Sequence, residues 1–117
     1  EAPRNIAEAA GMAMESEVLR FLRQGQDPGA VFDVRPDIIS SSITRVTALE
    51  AAIWSRRVRL LGILERERAI PNDKVRRHLV CLAGDIRANE LADRLLREGT
   101  SDCEAGHATR MIAARSQ

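Results

Sequence analysis

Tyrosine is absent from this chain, and the remaining aromatics come to one Trp and two Phe among 117 residues. That shortage argues against a β-sandwich or barrel and for aliphatic packing between helices. No apolar run approaches the ~18 residues that a membrane-crossing helix needs, so no membrane partner is expected. Two cysteines, Cys81 and Cys103, are too few for a disulfide framework and lack the closely spaced companions of a metal site. Cys81 stands in the run HLVCLAG and is expected to pack as a small buried hydrophobe. Neither sign of charge dominates. The 18 basic and 17 acidic residues leave a net +1, which gives no push towards nucleic acid or anionic lipid. Lysine is nearly missing too, Lys74 being the only one. The arginines that replace it are spread along the chain, which reads as codon usage rather than as a patch built to recognise anions.

What is present is aliphatic and periodic. The apolar fraction of 44% suits a folded, soluble chain, and the length suits one domain over 1–117. Ile6, Ala9, Ala10 and Ala13 fall at one-sided helical spacing, and Val18, Leu19, Phe21 and Leu22 repeat it. Gly25 is the natural stop, followed by the turn Asp27-Pro28-Gly29. From Val31 to Val46 the residues become β-branched, which favours an extended finger, a candidate β-hairpin with Ser40-Ser41-Ser42 at its tip. Thr47 and Glu50 then have the spacing of a capping box ahead of the helix ALEAAIWS. A helix through Val58 to Leu64 ends before Pro71. Another runs from Lys74 to Ala83, with a break expected at Gly84-Asp85, and one more from Ile86 towards Gly99. The tail, 104–117, is a stub in which His107 to Ala114 has helical character.

Helix, break, helix and glycine stop thus recur, as in arrays whose units bury their apolar faces on one another. Thr47-Ala48-Leu49-Glu50-Ala51-Ala52, Leu82-Ala83-Gly84-Asp85 and Gly25-Gln26-Asp27-Pro28-Gly29-Ala30 resemble, in turn, the opening, the inter-helix turn and the exit of an ankyrin repeat. The resemblance covers about three degenerate repeats, roughly 5–38, 47–73 and 74–103. Ala13 and Arg56 depart from it, standing where the family has its turn glycine. It implies an all-α fold, an ankyrin-like array of helix-turn-helix units with one elongated finger at 31–46. It also implies a scaffold-type protein-interaction module whose concave face binds another protein or another domain of the same polypeptide.

On that alignment Met12, Trp54 and Leu82 would stand in a row, with Ser55 beside Trp54, as an apolar hot spot. The alternative for Trp54 is half-burial under the finger. The finger would offer Asp33, Arg35, Asp37 and Arg45 to a partner, or serve as a cap on the first repeat. His78 takes the place of the family's structural histidine. No residue stands beside an orienting partner in the way catalysis requires, so no catalytic residue, metal or cofactor is assigned and the chain is read as a non-enzyme. The competing reading is a basic helical nucleic-acid-binding domain using Arg56, Arg57, Arg59, Arg76 and Arg77. It is not favoured, because acidic residues interleave with the cluster and no aromatic ladder accompanies it. The chain opens Glu1-Ala2-Pro3-Arg4 without a Met, which reads as a processed or excised product. The compartment stays open, with the cytoplasm slightly favoured.

Overall fold

Asn5 starts the first helix by accepting the Glu8 backbone N–H on its side-chain oxygen at 2.9 Å. That helix, α1 (Ile6–Gly11), buries every residue from Ile6 to Ala10. The computed structural model describes residues 1–115, so the last two residues of the expected 104–117 stub lie outside the described residues. In α2 (Glu15–Arg23) the inward residues are Val18 and Phe21. It ends in a Schellman motif, with Gln26 N–H donating to the Phe21 carbonyl at 3.1 Å and Gly25 N–H to the Leu22 carbonyl at 3.0 Å. Gly25 sits at φ +87°, a conformation that glycine adopts without a Cβ clash.

The chain then extends. β1 (Val31–Val34) and β2 (Thr44–Thr47) pair antiparallel, with Phe32 opposite Val46 and Asp33 opposite Arg45. Because strand side chains alternate, Phe32, Val34, Thr44 and Val46 share one face, and Val34 and Val46 on it are fully buried. The loop between the strands folds back over α1: Ile38 and Ile39 pack on the core, and a Cβ on Gly11 would lie 2.8 Å from Ile38 Cγ2. The expected all-α, ankyrin-like array is therefore corrected. Among the described residues the fold is mixed, seven helices with a two-stranded antiparallel sheet. The β-branched stretch buries its apolar residues with a period of two, which a helical face cannot match.

Four more helices and a tail helix complete the chain: α3 (Ala48–Ser55), α4 (Val58–Arg66), α5 (Asp73–Asp85), α6 (Asn89–Leu95) and α7 (His107–Ala114). The first, third, fifth and seventh are successive neighbours, and α2, α4 and α6 pack on the helices that precede them. The α1–α3 pair buries alanines on both sides, Ala7, Ala9 and Ala10 with Ala48, Ala51 and Ala52. Small side chains there let two backbones approach closely. The sheet adjoins α1, α3 and α7.

Two local expectations change. α5 continues through Gly84, whose missing Cβ faces open space, and the turn falls at Arg87 instead. Cys81 is not a free thiol: it is bonded to Cys103, 22 residues on. Its neighbours Leu79, Val80, Leu82 and Ala83 occupy the buried face of α5, which leaves Cys81 on a half-buried flank beside the α6–α7 connection.

Like α2, helices α1, α4 and α5 end with N–H groups bonded back in the Schellman pattern, such as Ala88 N–H to the Ala83 carbonyl at 2.8 Å. The left-handed residues there are Ala13, Arg68 and Arg87, at φ +56°, +57° and +60°. A left-handed L-residue costs roughly 1–2 kcal/mol, of which the greater freedom of unfolded glycine returns a part. Arg87→Gly and Ala13→Gly are each predicted to raise unfolding free energy by about 0.5–1 kcal/mol in urea titrations. Unchanged or lower stability in both would show that these turns carry no such strain.

Candidate functional site

Glu50 is the third residue of α3 and is almost wholly buried. Its first role is local. Thr47 Oγ1 accepts the Glu50 N–H at 3.1 Å, and Glu50 Oε1 accepts the Thr47 N–H at 2.8 Å, so two orphan donors at the helix start are satisfied together. Its second role is tertiary. Arg115, just past α7, donates from Nη1 to Oε1 at 2.6 Å and from Nη2 to Oε2 at 3.1 Å. His78 of α5 lies with Nε2 2.6 Å from Oε2; since a carboxylate can only accept, the imidazole donates from Nε2. Burial pushes the Glu50 carboxyl upwards, but the hydrogen bonds from His78, Arg115 and the Thr47 N–H, with the Arg115 charge, overcome it and hold the pKa at about 2.

The same device stands at the same helical position of α1. Glu8 is equally buried and accepts the Arg4 N–H at 2.9 Å, the Arg35 N–H at 2.9 Å and the Arg35 guanidinium at 2.8–3.0 Å. Burial raises the Glu8 pKa, and the Arg35 and Arg4 donors with the Arg35 charge bring it below the ordinary value. The two forks hold different peripheral segments: Arg35 holds the hairpin loop, and Arg115 holds the end of α7.

Glu50 and His78 lie in a groove of about 1070 Å³, walled by α5 and α7 and closed by the loops around Pro28 and Pro71. Leu22, Leu49, Val75, Leu79 and Met111 line it with apolar surface, and Met111 is 44% exposed. Lys74, Arg77, Glu67 and Glu104 supply charge of both signs. The Cys81–Cys103 disulfide also lines it. Among the described residues no hydroxyl or thiol nucleophile faces His78 from the lining: Thr47 caps α3, and both sulfurs are bonded to each other.

The expected interaction residues lie elsewhere. Leu82 is fully buried and cannot join an exposed row, which corrects that placement. Trp54 is half-buried against the core, Met12 is half-buried, and Ser55 Oγ donates to the Ala52 carbonyl at 2.6 Å. Arg35 is committed to Glu8 rather than to solvent. Arg45 Nε donates to Asp33 across the strands at 3.1 Å, and Asp37 is exposed in the hairpin loop. The basic cluster is dispersed. Arg56 donates to the Ile86 carbonyl at 2.6 Å, Arg59 pairs with Glu15 at 2.9 Å, and Arg76 reaches the Leu95 carbonyl at 3.1 Å. Only Arg77 of that set lines the groove. Among the described residues no helix is long and apolar enough to cross a membrane, and no group of three or more His, Cys, Asp and Glu is placed to hold a metal ion.

The sequence shows the cap at Glu50, while Arg115 falls in the tail with no local sign of a partner. One signal points further: Glu50 is flanked by Leu49, Ala51, Ala52 and Ile53, so its helix is buried on several sides and its charge needs a cation. Comparison with family models, curated proteins and solved structures finds no match to the chain.

The folded pKa of Glu50 lies below the ordinary 4.5, so its stabilisation is present above that pH and is lost as pH falls towards about 2. The shift corresponds to roughly 3 kcal/mol. Unfolding free energy of the wild type is expected to fall across this window, with Glu8 contributing in the same direction. In Glu50→Gln the curve should start lower and flatten. Parallel curves for the two proteins would contradict the burial and pairing of this carboxylate.

Proposed function

We propose that this chain is a protein-interaction domain whose groove between α5 and α7 takes an extended segment of another protein, or of another domain of the same polypeptide. The observation that carries the reading is the groove itself. At about 1070 Å³, it is at or beyond the upper end of small-molecule pockets. Its combination of apolar and oppositely charged lining residues suits alternate side chains of a peptide better than a single metabolite. A binding role is favoured over catalysis because both oxygens of Glu50 are engaged in holding α3, α5 and α7 together. We also propose kinship of the helix pairs with the ankyrin unit, on the strength of their recurring buried alanines and left-handed turns, within this mixed architecture.

The test is selection of peptides on the folded domain from a random display library, followed by titration of the best binder against variants. Met111→Glu places a charge on the exposed apolar wall and should weaken binding at least about tenfold, ~1.4 kcal/mol. Trp54→Ala, outside the groove, should stay within about twofold. Equal binding by Met111→Glu, with loss on Trp54→Ala, would move the site to the opposite ends of the inner helices.

A further inference from the structure

We propose that the Cys81–Cys103 disulfide is a redox latch that keeps α7 in place as the movable wall of the groove. The regulatory consequence rests on the groove reading above, whereas the latch itself does not. α7 has eight residues, fewer than the ~12–15 that an isolated helix needs to persist in water, so it is helical only while docked. Its docking contacts are few: Ala108 and Ile112 are its buried residues. Asp85 at the end of α5 caps it, accepting the Gly106 N–H at 2.9 Å and the Thr109 N–H at 3.3 Å. At the far end Arg115 is clamped by Glu50 and exchanges two longer hydrogen bonds with Arg45 of β2, each of 3.4 Å.

The connection from Leu96 to Gly106 that leads into α7 is exposed apart from the buried Thr100 and the half-buried Gly106. Among the described residues, the hydrogen bonds of Thr100 all go to Arg97 within that connection. The disulfide is the one covalent tie from it to α5. Cys103 is exposed and Cys81 half-buried, so an incoming thiolate reaches Cys103 first. A dithiol is the reductant required. One of its thiolates attacks Cys103 Sγ, the S–S bond breaks, and Cys81 leaves as a thiolate that takes up a proton. The second thiolate of the reductant then attacks the mixed disulfide and releases Cys103, which is protonated in turn, and the dithiol becomes a disulfide. Two electrons and two protons pass to the protein. The connection is then tied to α5 by no cross-link, and α7 relies on Asp85, Glu50, Arg45 of β2 and two buried side chains.

Hydrogen exchange read by mass spectrometry on the oxidised and the dithiol-reduced domain tests this directly, with reduction verified by the gain of two hydrogens. Reduction should speed exchange of the amides from Ala108 to Ala114 at least about tenfold, while α1 and α3 stay within about twofold. Cys103→Ser should reproduce the effect without reductant. Arg115→Gln should speed α7 more in the reduced than in the oxidised domain, because the second anchor then matters most. A peptide selected on the oxidised groove should lose affinity on reduction at least about tenfold. Unchanged α7 exchange after verified reduction overturns the latch, and so does equal acceleration across α1, α3 and α7, which would make the disulfide a brace for the whole fold. Faster α7 exchange with unaltered peptide affinity keeps the latch and removes α7 from the binding wall.

Discussion

A carboxylate taken out of water is costly unless its lone pairs are met by donors of fixed geometry, preferably charged ones. Glu8 and Glu50 impose that condition on this fold. Each sits three positions into an inner helix, where alanine packing has already removed the solvent. Backbone N–H groups from the helix start supply part of the pairing, and the rest must come from a planar cation that reaches in from outside. Arg35 and Arg115 do so, one from the hairpin loop and the other from the end of α7. The two glutamates thus convert buried charge into attachment of the periphery.

That requirement accounts for several features that otherwise look unrelated. The hairpin loop lies on α1 because Arg35, immediately after β1, is drawn to Glu8, and Ile38 and Ile39 then cover the end of the helix near Gly11. The short α7 docks beside α5 because Arg115 and Asp85 hold its two ends. Once docked, it forms a groove wall above the same Glu50 that anchors it. Arginine rather than lysine serves here because a bidentate fork matches both carboxylate oxygens at once. Stability and the shape of the groove therefore depend on one ionised side chain.

Local chemistry was legible in the sequence to the extent that its partners were close. The Thr47–Glu50 capping box, the glycine stop at Gly25 and the helical character of His107 to Ala114 involve residues within one or two turns. Pairings across 27 and 65 residues were not legible, since nothing local distinguishes Arg35 and Arg115 from the other arginines. The spread of arginine looked like codon usage for the same reason. The hairpin was legible in the β-branched run from Val31 to Val46, but the all-helical expectation failed because that hairpin belongs to the fold proper, with Val34 and Val46 fully buried. Leu82 departs from the expected row because α5 runs through Gly84 and turns at Arg87. Counted from the left-handed residues Ala13 and Arg87, the counterpart of Met12 is Ile86, and Leu82 belongs to the buried face. The groove was missed because the expected surface was assigned to the C-terminal ends of the inner helices, whereas Glu50, Val75 and His107 line it from the starts of α3, α5 and α7.

The dependence of the outer segments on buried carboxylates is tested most directly by a double-mutant cycle on Glu50 and Arg115, using Glu50→Gln, Arg115→Gln and the double variant in denaturant unfolding at neutral pH. A pair that is desolvated and bidentate should give a coupling energy of about 2 kcal/mol or more, with the double variant less damaged than the two single losses would add up to. A coupling below about 0.5 kcal/mol, the range of exposed ion pairs, would contradict the account.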